Sequence, residues 1–264
     1  MNESALRRPA GAGTLSKTHM PFTLDGGVAS RCRIGLIVLA TDHTIEAEWR
    51  QVIRLPGVAI YESRILNAAE INPTTLAAME KGLAAAASLI LPGTKLDVIG
   101  YGCTSASVVL GEETVARRIR EARPEAKVTN PITAAIAGMK MLGAGRIALL
   151  TPYIEEVNQR FRSYIEAHGL EVPVMGSFNH ENDNEVARIS TASIRDAMIE
   201  LGREPSVDGV FVSCTSLRVA EIAEEVERAI GKPVTSSNLA LAWHCLRLAG
   251  ANDPIPGYGR LFRS

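Results

Sequence analysis

Short, almost wholly apolar runs alternate along the chain with longer stretches in which apolar residues recur every three or four positions. The runs predict strands at about 33–39, 57–62, 96–102 and 126–129, and again at 146–151, 171–177, 207–213 and 233–235. The helical spacing between them is clearest at 74–91, 106–122 and 132–142, then near 154–168, 184–202, 217–230 and 238–249. Asn72 and Pro73 supply an N-cap and a first-turn proline ahead of one such helix. Strands alternating with helices imply parallel sheets with right-handed crossovers, so the fold class is α/β. Ligands of such sheets bind beyond the carboxyl ends of the strands.

The chain is written twice. Leu96 to Ser105 and Val207 to Ser216 share the pattern x-Asp-x-(Ile/Val)-x-x-(Gly/Ser)-Cys-Thr-Ser at an offset of 111. Arg33 to Ile37 is echoed by Arg146 to Leu150, and Val128-Thr129 by Val234-Thr235, at nearly the same offset. Gly143-Ala144-Gly145 marks the seam. The expected organisation is a flexible tail over 1–30, a first α/β half over 31–143 that the C-terminal helix is available to complete, and a second half over 144–264. Each half reads as a flavodoxin- or Rossmann-like sheet of about four strands, with a cleft between the halves.

Composition narrows the function classes. With 46% hydrophobic and 22% charged residues the 264-residue chain is that of a folded protein, and 5% aromatics suits helix-covered parallel strands. A net charge of -1 leaves no basic stripe for nucleic acid. No apolar run reaches the roughly 18 residues of a membrane span. Met1 to Ser30 lacks the apolar core of a signal peptide, so a cytoplasmic location is the expectation. The five histidines show no metal-ligand spacing and no Walker motif occurs, so no metal or nucleotide is implied. Gly100 to Ser105 lacks the third glycine of a dinucleotide fingerprint.

The four cysteines show no CxxC spacing and read as free thiols. Cys103 and Cys214 each follow a strand and precede a predicted helix, where the positive end of the helix dipole would lower the thiol pKa. Two such thiols on opposite faces of a carbon can add to it or exchange its proton without a cofactor. Thr104, Ser105, Thr215 and Ser216, with nearby backbone amides, form a donor-rich nest suited to a small mono- or dicarboxylate. A lone buried cysteine is usually core; two at matching repeat positions, each followed by Thr-Ser, favour function. Cys32 and Cys245 lack that context and read as structural.

These residues resemble the aspartate/glutamate racemase superfamily, in its branch of maleate cis-trans isomerases and arylmalonate decarboxylases. The resemblance spans roughly Arg33 to Gly250 and rests on Arg33 to Thr44, the turn at 102–105, Leu150 to Tyr153 with Val157-Asn158, Asn182 to Arg188, and Ser213 to Ser216. The chain also resembles ectoine-utilisation proteins of that branch. The resemblance implies two Rossmann-like halves, no cofactor, a small carboxylate substrate, and catalysis by Cys103 as the adding thiol and Cys214 as the proton donor. It further implies carboxylate binding by Tyr153, Thr104 and Ser105, and by an Asn in the segment around Asn184. Asp42 stands where maleate isomerases carry Asn, which leaves room for a substrate with an amino or hydroxyl group.

Decarboxylases of the branch have glycine at the position of Cys103, and amino-acid racemases follow the second cysteine with Thr-His where this chain has Ser216. Isomerisation of a small unsaturated carboxylate or dicarboxylate therefore leads. A racemase or epimerase of a chiral acid such as an ectoine-derived one, a decarboxylase, a non-catalytic carboxylate binder and a peroxide-sensing thiol protein are the alternatives. Structural readings stand beside the supporting residues: Asp42 with Thr44 as a cap, Tyr153 as seam packing, Asn184 as a cap. Apolar helix faces are compatible with a homodimer.

Overall fold

The apolar run after Arg31 forms β1 (Cys32–Leu39), buried on both faces as a central parallel strand must be. The computed structural model describes residues 15–264, so the first fourteen residues of the expected tail lie outside the described residues. Residues 15–28 form no helix or strand, and Leu15, Phe22 and Leu24 are more than 80% exposed.

After β1 come α1 (Ile45–Val52), β2 (Val58–Ile65), α2 (Pro73–Ala78), α3 (Leu83–Ser88), β3 (Val98–Gly102), α4 (Thr104–Leu110), α5 (Glu112–Arg120), β4 (Lys127–Thr129) and α6 (Pro131–Met141). The second round gives β5 (Arg146–Thr151), α7 (Glu155–Ala167), β6 (Glu171–Ser177), α8 (Asp183–Val186), α9 (Thr191–Gly202), β7 (Gly209–Val212), α10 (Ala223–Ile230), β8 (Val234–Ser236) and α11 (Ser237–Leu248). The two four-stranded parallel sheets have the orders β2-β1-β3-β4 and β6-β5-β7-β8, one the repeat of the other.

Three predicted helices are broken, each for a local reason. The stretch 74–91 passes through a 3-10 turn at Met79–Gly82. Gly111, at φ 80°, separates α4 from α5 inside 106–122. Ser190 caps α9 and splits 184–202. The fourth difference, at 217–230, belongs to the site.

The long helices that end each round cross over. α11 lies on the first sheet: Cys245 Sγ sits so close to Gly100 that a β-carbon there would stand 3.1 Å from it. His244 Nδ1 meets Thr129 Oγ1 at 2.8 Å, and Lys127 Nζ donates to the Leu248 carbonyl at 2.8 Å. α6 turns Ile132, Ile136 and Met139 onto Ile147 and Phe211 of the second sheet. The apolar core runs through both halves, and the carboxyl ends of β3 and β7 face a shared space. Among the described residues no helix is long and apolar enough to cross a membrane.

Candidate active site

β3 ends on Gly102, where a side chain would press on the Ile37 carbonyl oxygen at 3.1 Å. Cys103 then caps α4 with extended backbone, its sulfur accepting from the Ala106 N–H at 3.4 Å with Ser105 Oγ 3.7 Å away. The Ser107 N–H reaches back to the Cys103 carbonyl at 3.3 Å, so the helix begins at once. The sequence predicts a lowered thiol pKa here, and the structure corrects it. Burial pushes the Cys103 thiol up to about 11, and the Ala106 amide, Ser105 and Tyr101 offset only part of that cost.

Cys214 follows β7 in a different way. Its φ of 108° lies in the left-handed region, a strained conformation for a residue with a side chain. No helix follows directly: 215–222 is irregular and α10 starts at Ala223, against the helix predicted over 217–230. The Val219 and Ala220 amides donate to Glu48 Oε1 at 2.6 and 2.7 Å rather than to carbonyls four residues back. Those carbonyls are taken as well, Thr215 by Asn238 Nδ2 at 2.8 Å and Ser216 by Thr44 Oγ1 at 3.0 Å. The helix-dipole argument therefore does not apply to Cys214. Its thiol is pushed far up by burial and by the nearby Asp183 carboxylate, while the Ser216 amide and Tyr153 hydroxyl work in the opposite direction.

One hydroxyl ties the two turns together. Ser237 Oγ accepts from the Cys214 N–H at 3.0 Å and shares a 2.8 Å hydrogen bond with Thr104 Oγ1.

Both thiols line one cavity of about 390 Å³ including its mouth. Thr104, Ser105, Tyr153, Asp183 and Thr215 share the polar wall, while Leu39, Ile71, Leu76 and Met79 form an apolar one. Tyr153 is buried against Phe161, with ring centroids 4.9 Å apart, and its hydroxyl neighbours Ser213 and Cys214.

Three predicted residues stand outside that lining. Ser216 instead donates to Asp183 Oδ1 at 2.8 Å. Asn184 points away and pairs with His43 Nε2 at 2.9 Å. The cap of α8 is Asn182, which puts Asp183, one residue before Asn184, on the cavity. Asp42 caps α1 through Oδ1, accepting from the Thr44 and Ile45 amides at 2.7 and 2.9 Å. Its Oδ2 is buried without a hydrogen bond, and burial, with Asp183 nearby, raises the carboxyl to about 6. Sequence reasoning missed Tyr101, Glu48 and Ser237, and took Asn184 rather than Asp183 from the segment they share. For Asp183 a signal existed, since an Asn-capped helix starting at 183 turns that residue inward; for Glu48 and Ser237 only tertiary contacts reveal the role.

The chain matches the arylmalonate decarboxylase family over residues 34–262. The protein belongs to that family. It is 35% identical to an arylmalonate decarboxylase of Bordetella bronchiseptica over 179 residues, 67% of this chain and 71% of that one. It is 29% identical to a maleate isomerase of Nocardia farcinica over 241 residues, 88% of this chain and 95% of that one. A solved variant of the Nocardia farcinica maleate cis-trans isomerase, with a covalently bound succinylcysteine intermediate, aligns with a TM-score of 0.79 at 27% identity, covering 88% of this chain and 98% of that one. This family member shares its two-sheet architecture with that enzyme.

Proposed function

We propose that this family member is a cofactor-independent isomerase of a small carboxylic acid, with Cys103 and Cys214 acting on opposite faces of one carbon skeleton. The observation that carries the reading is the pair of thiols, from matching turns, on one enclosed cavity beside the Tyr153 hydroxyl. The cysteine adduct in the neighbouring isomerase supports it, because it is a thiol bonded to a four-carbon acid.

On a cis alkene acid, the Cys103 thiolate adds to one carbon, and the π pair takes a proton from the Cys214 thiol at the other. Rotation about the new single bond follows. The Cys214 thiolate then removes the proton, and the C–S bond breaks to give the trans acid and the starting thiolate. Ser105, Thr215 and Tyr153 would hold the carboxylate. Burial and the Asp183 carboxylate raise both thiols, but Cys103 the less, to about 11, which makes it the readier thiolate, whereas Cys214, raised further and with Asp42 also near, stays protonated as the acid. Decarboxylation needs only one proton donor, so a second thiol speaks for isomerisation.

One observation favours a second reading, racemisation or epimerisation of a chiral acid. Asp183 and Glu70 line the cavity, and no Lys, Arg or His is among its lining residues. A dianion would meet carboxylates without a cation, while an acid bearing an N–H or O–H donor would find an acceptor in Asp183. One thiolate would then take the α-proton and the opposite thiol would return one from the other face.

Proton NMR in deuterium oxide tests both readings on a panel of maleate, other unsaturated acids, and chiral amino and hydroxy acids. The expected result is cis-trans conversion or α-proton exchange that falls by at least about 10³-fold in Cys103→Ala and Cys214→Ala. Asp183→Asn should shift preference toward dicarboxylates by about tenfold or more. Undiminished turnover in either cysteine variant, or no turnover of any acid by the wild type, overturns the proposal.

A further inference from the structure

We infer that the Glu48 carboxylate is a positioning residue for Cys214: it holds residues 215–222 unwound, and with them the sulfur's place in the cavity. Extending α10 upstream by about two turns, to Ser216, would pair the Val219 N–H with the Thr215 carbonyl and the Ala220 N–H with the Ser216 carbonyl. Both amides instead end on Glu48 Oε1, a side chain of the first half reaching into the second. Glu48 is only 5% exposed, so its three hydrogen bonds are made away from competing water.

The three donors favour the ionised acid. Asn238 Nδ2 gives one hydrogen to Glu48 Oε2 and the other to the Thr215 carbonyl, both at 2.8 Å. A proton on Oε2 would face that donor. Turning the Asn238 amide over would bring its Oδ1, now buried without a partner, toward Glu48, but it would also take the donor from Thr215. A protonated Glu48, or a glutamine in its place, therefore releases the restraint on the residue next to Cys214.

Solvent has a route to this carboxyl. A separate cavity of about 580 Å³ including its mouth borders Glu48 and carries His43, Arg218 and Glu221 on its walls. Those three, with Asp42 ahead of α1, are the charged or titratable groups that face it, and α11 presents the neutral Asn238. Burial raises the Glu48 carboxyl to about 7, with the Ala220 and Val219 amides and Asn238 opposing the rise. The restraint should thus be complete in mildly alkaline solution and fade as the pH falls through neutrality.

The test reads the thiols directly, so it does not depend on the proposed isomerase activity. Iodoacetamide labelling of each cysteine is followed by peptide mass spectrometry between about pH 5.5 and 8.5, in wild type and Glu48→Gln. The ratio of Cys214 to Cys103 rates should show an inflection near pH 7 in the wild type. In Glu48→Gln that inflection should vanish, and the ratio at the alkaline end should differ from wild type by at least about threefold. Cys103 itself should change less than about twofold. An inflection from Asp42 near pH 6 should persist in the variant. A wild-type ratio with no inflection near 7, or a variant matching wild type throughout, overturns the inference. The wild-type profile decides even if the variant folds poorly.

Discussion

The turns after β3 and β7 share Cys-Thr-Ser, yet one winds straight into a helix and the other does not. At Cys103 the partners are local, namely the Ala106 amide, Ser105, and the Ser107 amide on the carbonyl. At Cys214 they come from far along the chain, namely Glu48, Thr44, Asn238 and Ser237. One sequence pattern thus gives two electrostatic settings. Burial and Asp183 raise both thiols, but the helical turn's donors hold Cys103 to about 11, while the unwound turn adds Asp42 and leaves Cys214 higher, the weaker acid of the two. The duplication supplied two equivalent cysteines, and tertiary contacts made them unequal.

The sharpest way to break that comparison is to ask which cysteine keeps a substrate adduct. With an unsaturated acid that the wild type turns over, Cys214→Ala should retain a covalent adduct on Cys103, visible as a mass increase of the intact protein. Cys103→Ala should retain none on Cys214, although both variants lose at least about 10³-fold in turnover. Adducts of equal yield on either cysteine would mean that the two settings do not divide the roles.

The unequal settings have a cost that depends on pH. The Glu48 carboxyl stands at about 7 and that of Asp42 at about 6 in the folded protein, against ordinary values of 4.5 and 3.8. Between roughly pH 4 and 7 the folded chain therefore binds more protons than the unfolded one, and unfolding free energy falls as the pH rises. Urea titrations at about pH 5 and 8 should show a loss of about 4 kcal/mol toward the alkaline side, levelling off above pH 8. Glu48→Gln should remove the larger share of that slope. A flat or rising profile in wild type would mean that these two carboxyls are not held protonated by burial.

Much of this was legible beforehand. Alternating strands and helices, written twice, predict two parallel sheets, and the Cys-Thr-Ser repeat predicts that both thiols lie at their carboxyl edges. What was hidden are features set by distant partners. Leu217 to Ile222 reads as helix because its apolar spacing continues into α10, and nothing local reveals that Glu48, 171 residues before Val219, takes the amides of Val219 and Ala220. The direction of the thiol pKa values was hidden for a related reason: the dipole at a helix start can be read from sequence, but the depth of burial that outweighs it cannot. The exchange of Asn184 for Asp183 is smaller, a register of one residue fixed by the Asn182 cap.

Ser237 offers the finest test, because its side chain, from outside both turns, is bonded to each of them. Removing its hydroxyl leaves the Cys214 N–H and Thr104 Oγ1 without that partner, in a region too enclosed for water to replace it freely. Ser237→Ala should cost about 1–3 kcal/mol in urea unfolding. The neighbour Ser236 is the fitting control, since its hydroxyl caps α11 by accepting from the Leu239 N–H at 3.2 Å rather than bonding to either turn. Ser236→Ala should cost about 1 kcal/mol through the lost cap and leave turnover within about twofold. Ser237→Ala should in addition lower turnover by about tenfold, because the strained backbone of Cys214 then relaxes away from Cys103. Equal effects of the two substitutions on turnover would show that the turns are aligned without the Ser237 bridge, and that the bridge contributes stability without setting the distance between the thiols.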